Sequence, residues 1–163
     1  MQESICLIGF MGSGKTTVGR ELAKKLGYEW LDLDVYIEEK AGMRIAQLFK
    51  EKGEAYFRSL EAACLKEVLS QKQHVISTGG GVIVTPENVE CLKKQQTFFL
   101  DYSIETLYQR IKGDETRPLV SGFDELKARL EGRKPFYEAA ARHILWCEGM
   151  TVNEITEKIK KAL

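Results

Sequence analysis

Residues 9–16 read GFMGSGKT and fit the spacing G-x-x-x-x-G-K-[ST]. Glycines at these positions let successive backbone N–H groups turn inward and form a cradle for an anion. A helix opening directly after the loop adds partial positive charge at its N-terminus. The ammonium of Lys15 can reach the β- and γ-phosphates of a nucleotide, and the Thr16 hydroxyl can ligate Mg²⁺. Gly12, Ser13, Gly14, Lys15, Thr16 and Thr17 are therefore expected to hold a nucleoside triphosphate together with Mg²⁺.

A second set of chemical groups follows. Residues 30–34 read WLDLD. In an extended strand Asp32 and Asp34 share a side, about 7 Å apart. One carboxylate can hold Mg²⁺ through water; the other can orient, or deprotonate, an acceptor hydroxyl. A helix cap would account for Asp34 but not for Asp32. Residues 55–64, AYFRSLEAAC, read as a helix with Phe57, Leu60, Cys64 and Val68 as its buried stripe. Arg58 and Glu61 lie three apart on the neighbouring face and can pair. Such surface pairs are common, but Arg133 in GRKPFY offers a second guanidinium, and two make a fork for a carboxylate.

Residues 77–82, STGGGV, place three bare glycines between apolar neighbours, which implies that something approaches this backbone closely. Arg117 in TRPL lies on a polar segment, 112–122, with glycines near both ends. A mobile loop of this kind brings positive charge to a transferring phosphoryl group and excludes water. A solvated loop arginine is the alternative for Arg117. Arg110, one turn before the loop, is placed to stack on adenine.

The elements that must position these groups alternate. Strands are expected at 4–9, 29–34, 74–77, 97–102 and 143–147. Helices are expected at 16–26, 35–41, 45–51 and 54–70, from Pro86 with Thr85 as N-cap, at 104–111, at 123–142 with a break near Gly132 and Pro135, and after a Thr151–Glu154 capping box. Strands separated by helices imply an α/β fold with a parallel sheet. Continuous apolar strands imply a sheet covered on both faces, with ligands beyond the strands' carboxyl ends.

The bulk composition narrows the class. With 163 residues, and 24 Lys plus Arg against 24 Asp plus Glu, the chain is one domain without a charge bias toward nucleic acid or a membrane surface. It has no apolar run near the roughly 20 residues that cross a bilayer. The N-terminus lacks the features of a signal peptide, so the cytoplasm is the expected compartment. Cys6, Cys64, Cys91 and Cys147 are scattered singly and read as buried thiols, and His74 and His143 have no partner for metal or nucleophilic chemistry. There is no guanine-reading N-K-x-D segment and no further domain to drive. A phosphotransferase for a small acceptor is the economical reading. Two arginines with an aspartate suit a polyhydroxylated acid; gluconate fits that chemistry too. A nucleotide acceptor would want base-reading groups. A binding module without an acceptor has no reason to keep Asp34, Arg58, Arg133 and the triple glycine together.

In order along residues 4–163, GxxGSGKT, LDxD, FRxxE, TGGG, RPL and RxPFY resemble the shikimate kinase family. The resemblance implies a P-loop, nucleoside-monophosphate-kinase-like fold: a five-stranded parallel sheet in order 2-3-1-4-5 with helices on both faces and a small lid. It implies one domain over 1–163, an acceptor-binding helical segment at 35–61 and the lid at 112–122. It implies ATP-dependent phosphorylation of the shikimate 3-hydroxyl, a step toward chorismate and the aromatic amino acids. Asp34, Arg58, Gly79, Gly80, Gly81 and Arg133 match acceptor-contacting positions. Lys15 and Arg117 match groups that stabilise the transferred phosphoryl, with Asp34 as the third catalytic residue. Thr16 and Asp32 match the Mg²⁺ positions, and Arg110 and Arg117 match nucleotide contacts. No firm anchor for the adenine-packing loop stands out near residues 146–152. A monomer is expected, since no exposed apolar stripe demands a partner.

Overall fold

Strand β1 (Ile5–Ile8) is buried along its whole length, which is why ICLI is an unbroken apolar run: it lies in the middle of a sheet covered on both faces. The computed structural model describes residues 3–112 and 122–163. The strands β1, β2 (Glu29–Asp32), β3 (His74–Ser77), β4 (Gln96–Asp101) and β5 (His143–Trp146) form one parallel sheet in the order β2-β3-β1-β4-β5. This is the order the resemblance implied.

The helices are α1 (Lys15–Leu26), α2 (Leu33–Ala41), α3 (Ile45–Lys52), α4 (Glu54–Leu69), α5 (Pro86–Lys93), α6 (Ile104–Lys112), α7 (Phe123–Ala140) and α8 (Val152–Ala162). Helix α1 packs on β3 and against α8, while α5 and α7 pack on each other and on β4. Val18, Leu22 and Ala23 carry the buried face of α1, and Gly27 ends it in the left-handed conformation at φ 70°. Both bonds of the Thr151–Glu154 capping box start α8.

Four expectations need correction. Strand β2 stops at Asp32, and Asp34 sits in the first turn of α2 rather than on the strand. The reason is local: the Asp32 carboxylate accepts the Val35 N–H at 3.1 Å and caps the helix. The helix cap weighed for Asp34 thus belongs to Asp32. Helix α7 runs unbroken through Gly132 and Pro135, held on its inner side by Leu126, Leu130, Tyr137 and Ala140. Tertiary packing outweighs the local breakers. Strand β5, at the sheet edge, is not covered on both sides: Ile144 is 51% exposed and Trp146 52%, with Leu145 buried between them. Cys91 is half-buried, whereas the other three cysteines are buried. A short 3₁₀ turn, Val82–Val84, follows the triple glycine. Most of the expected lid, including Arg117, lies outside the described residues.

Because β3 lies between β2 and β1, the segments leaving these three strands meet at one edge of the fold. They are the phosphate loop, the Asp32–Asp34 corner and the triple glycine.

Candidate active site

The loop between β1 and α1 turns on Gly14, the residue before the helix, at φ 82°. That left-handed conformation is nearly strain-free only for glycine. It aims the first N–H groups of α1 into the loop. The Lys15 ammonium folds back over the same loop, donating to the carbonyls of Gly9 and Phe10 and lying 3.5 Å from Ser13 Oγ. A cation is thereby stationed at the mouth of an N–H-lined concavity. Lys15 shares a cavity of about 540 Å³ with Thr16, Asp32, Asp34, Gly79 and Gly80.

Asp34 faces this cavity from the first turn of α2. Burial raises its pKa above the ordinary value, and the neighbouring Asp32 charge raises it further; Lys15 and Arg58 draw it part of the way back. Its carboxylate presses on the backbone after β3. A Cβ on Gly79 would stand 2.7 Å from Asp34 Oδ1. On Gly81 the same atom would stand 2.6 Å from Arg58 Nη2. The close approach anticipated at the triple glycine is therefore made by Asp34 and Arg58. Gly80 is different, since its nearest neighbour would be the Met11 nitrogen at 3.4 Å.

Arg58 is an interior residue of α4. Its Nη1 donates to the Glu61 carboxylate and to the Gly81 carbonyl, each at 3.0 Å. Glu61 is 1% exposed, so this is no surface pair; burial raises the Glu61 pKa, and the Arg58 charge and hydrogen bond oppose that rise. The Arg58 Nε is shut off from water and has no hydrogen-bond partner among the described residues. Glu54 stands 3.9 Å from it, beyond hydrogen-bond reach. Arg133 reaches the triplet from α7, its Nη1 3.9 Å from where a Gly80 Cβ would be. The structure thus brings Asp34, Arg58 and Arg133 to one stretch of backbone from three helices.

The Arg110 Cζ lies over the Tyr102 ring, 4.3 Å from its centroid, and its Nη1 donates to the Gly12 carbonyl at 3.0 Å. Beside it a hollow of about 280 Å³ is lined by Gly12, Thr17, Tyr102, Arg110, Met150 and Val152. Tyr102, Met150 and Val152 were not singled out in the sequence. Tyr102 does follow β4 directly, and the other two follow β5, which is where ligand contacts on a parallel sheet belong. The anchor of the segment after β5 is Glu148. Its carboxylate accepts from the Ser103 N–H at 3.1 Å, from Ser103 Oγ at 3.2 Å and from the Thr106 hydroxyl. These bonds, led by that from Thr106, hold its pKa below the ordinary value.

A parallel sheet in this order, with a phosphate loop leaving its central strand and an acidic and basic cluster opposite, is that of a P-loop kinase. The shikimate kinase family model matches residues 11–163, and the chain belongs to that family of enzymes. It is 44% identical to the shikimate kinase of Persephonella marina over 96% of this chain and 99% of that one. It is 41% identical to that of Thermodesulfovibrio yellowstonii over 98% and 94%. Among solved structures, the Acinetobacter baumannii shikimate kinase in complex with shikimate superposes with a TM-score of 0.91 at 37% identity, covering 99% of this chain and 93% of that one. The Aquifex aeolicus shikimate kinase gives 0.86 at 37% identity, covering 98% and 95%.

Proposed function

We propose that the chain transfers the γ-phosphoryl group of ATP to the 3-hydroxyl of shikimate, giving shikimate 3-phosphate and ADP. One observation carries this reading. Asp34, Arg58 and Arg133 converge on residues 79–81, and Asp34, Gly79 and Gly80 share a cavity with Lys15. A carboxylate-binding pair and a hydroxyl-binding carboxylate therefore stand beside a phosphate cradle, as a hydroxylated acid requires.

In this reading Arg58 and Arg133 grip the acceptor carboxylate. The buried, unpartnered Nε of Arg58 supports that role, because a shut-off N–H is costly until a ligand oxygen meets it. Asp34 accepts a hydrogen bond from the attacking hydroxyl. Its raised pKa suits it to take the proton as the new O–P bond forms and the bond to ADP breaks. A loose transition state needs little help from a base, so orientation is the larger part of its work. Gly12, Ser13, Gly14, Lys15, Thr16 and Thr17 hold the triphosphate. Lys15 and, by family resemblance, Arg117 meet the charge on the transferred group. Arg110, Tyr102, Met150 and Val152 hold the adenine side of ATP.

The donor set also suits Mg²⁺. Thr16 and Asp32 line the phosphate cavity with hard oxygen atoms, and among the described residues no group of three or more His, Cys, Asp or Glu side chains forms a metal cage. A cation held by few protein ligands, phosphate oxygens and water is Mg²⁺-like. Thr16 and Asp32 would hold it, and when bound it neutralises charge on the β- and γ-phosphates. Among the described residues no helix is long and apolar enough to cross a membrane. The reading takes the chain as a single-domain cytoplasmic monomer, with 35–61 the acceptor segment and 112–122 the lid.

The test is a coupled ADP-release assay with Mg·ATP and shikimate, gluconate or nucleoside monophosphates in parallel. ADP release should depend on shikimate. Equal release with and without it, or preferential turnover of another acceptor, would sink the assignment.

A further inference from the structure

Tyr137, on α7 one turn beyond Arg133, is the largest fully buried side chain among the described residues. Its ring stacks on Phe99 of β4 with centroids 5.0 Å apart. Its hydroxyl donates to the Gly80 carbonyl. A phenylalanine would fill the same space and keep the same stack. A buried hydroxyl costs free energy unless it is satisfied, so the oxygen calls for an account separate from packing.

The next carbonyl along the chain, that of Gly81, is held by Arg58 Nη1 at 3.0 Å. Successive carbonyls of the triple glycine are thus tied to α7 and α4. The peptide is planar and trans, so turning the Gly80 C=O to Tyr137 turns the Gly81 N–H to the opposite side. None of the three glycines has a positive φ, but without Cβ atoms the Gly80–Gly81 peptide meets little resistance to rotation. Gly80 lines the cavity that also holds Lys15 and Asp34, so a rotated peptide would change which backbone group that cavity meets.

We propose that Tyr137 is a positioning residue for the acceptor, its hydroxyl locking the Gly80–Gly81 peptide in one orientation so that every bound acceptor meets the same backbone donor. This rests on the reading of residues 79–81 as part of a shikimate site. Burial pushes the Tyr137 phenol up to about 12, against the charge and a side-chain hydrogen bond of Arg133, so it keeps its proton, donating to Gly80 while accepting from Arg133 at any pH where the enzyme would work.

The test is Tyr137→Phe, which keeps the ring on Phe99 and removes only the oxygen. The KM for shikimate should rise about tenfold, as expected for one hydrogen bond lost from an organised site, with the KM for ATP within about twofold of wild type. Tyr137→Leu, lacking the ring as well, should add a drop in thermal midpoint. An unchanged shikimate KM in Tyr137→Phe, or equal rises in both KM values, would reduce the hydroxyl to a structural bond and overturn the proposal. Wild-type protein that fails to phosphorylate shikimate overturns the acceptor reading and this inference with it. Normal wild-type turnover beside an unaffected Tyr137→Phe overturns this inference alone.

Discussion

The Asp34 carboxylate and the Gly79 backbone are pressed together so closely that a single added Cβ would stand 2.7 Å from Oδ1. The first turn of α2 and the end of β3 meet with no room for any other residue. Gly81 stands in the same relation to Arg58, at 2.6 Å. In both places the atom in the way is the end of a proposed acceptor-binding side chain.

Alanine at Gly79 or Gly81 should therefore push that side chain aside rather than break the fold. Displacing a reacting or gripping group by about 1 Å can cost on the order of 10²-fold in rate. Gly79→Ala and Gly81→Ala should lose turnover at that scale; Gly79→Ala should melt near wild type, and Gly81→Ala somewhat lower, because the Arg58 group it moves also partners the buried Glu61 carboxylate. Gly80→Ala, whose Cβ would find ordinary space at 3.4 Å, should stay within a few-fold. Steady-state kinetics with thermal unfolding on the three variants distinguishes the pattern from uniform damage.

Arg58→Ala and Arg133→Ala should each weaken shikimate binding by about 10–100-fold, the range for losing a hydrogen bond to a charged group, and leave ATP binding intact. Arg58→Ala should also destabilise the fold, because it strands the Glu61 carboxylate, 1% exposed, without its partner. Adding Glu61→Gln to Arg58→Ala should recover thermal stability without recovering acceptor affinity. Calorimetric titration with shikimate and with a nonhydrolysable ATP analogue reads both effects.

The raised pKa of Asp34 carries a sign. A carboxyl whose folded pKa exceeds its unfolded one favours the native state at low pH. That share of stability is lost as pH climbs from the ordinary value near 3.8 through the raised folded value. At neutral pH the buried charge is a cost that Asp34→Asn removes. The Asn variant should melt above wild type at about pH 7, by about 2–4 °C for each kcal/mol relieved, and the gap should close toward acid pH. Its turnover should fall by about 10²-fold. A variant less stable than wild type at neutral pH would show that Asp34 is held by its partners more than it is strained by burial.

Glu148 ties the segment after β5 to the first turn of α6, and α6 carries Arg110. Glu148→Ala should loosen Met150 and Val152 against Arg110. The KM for ATP should rise about five- to tenfold, in line with losing one or two charge-assisted hydrogen bonds, while the KM for shikimate holds. Equal shifts in both constants would point to a general loosening of the fold instead.

Motifs set by a local backbone pattern were legible before any contact was known. GFMGSGKT needs only its own glycines and the helix behind it to make a phosphate cradle, and apolar runs, helical periods and caps marked each strand and α-helix among the described residues, though not the 3₁₀ turn Val82–Val84. The ordered motifs pointed to the family, and through it to the sheet order, which periodicity could not supply. Period-two reasoning failed at WLDLD because Asp32 caps a helix and ends the strand two residues early. Pro135 read as a break because its local penalty is visible in sequence and the packing that overrides it is not.

What the sequence by itself determined is which chemistries are present: a triphosphate loop, a pair of carboxylates, two arginines and a bare stretch of backbone. Only the tertiary structure decided how they are shared out. Glu61 became a buried counter-charge, Gly79 and Gly81 became the crowded glycines, and Glu148 became an anchor. The Tyr137 hydroxyl met a carbonyl 57 positions away, and Arg110 one 98 positions away. A linear pattern records which face of an element is apolar. It does not record which partner that face will meet, and hydrogen bonds across such separations exist only once the sheet has set its strands side by side.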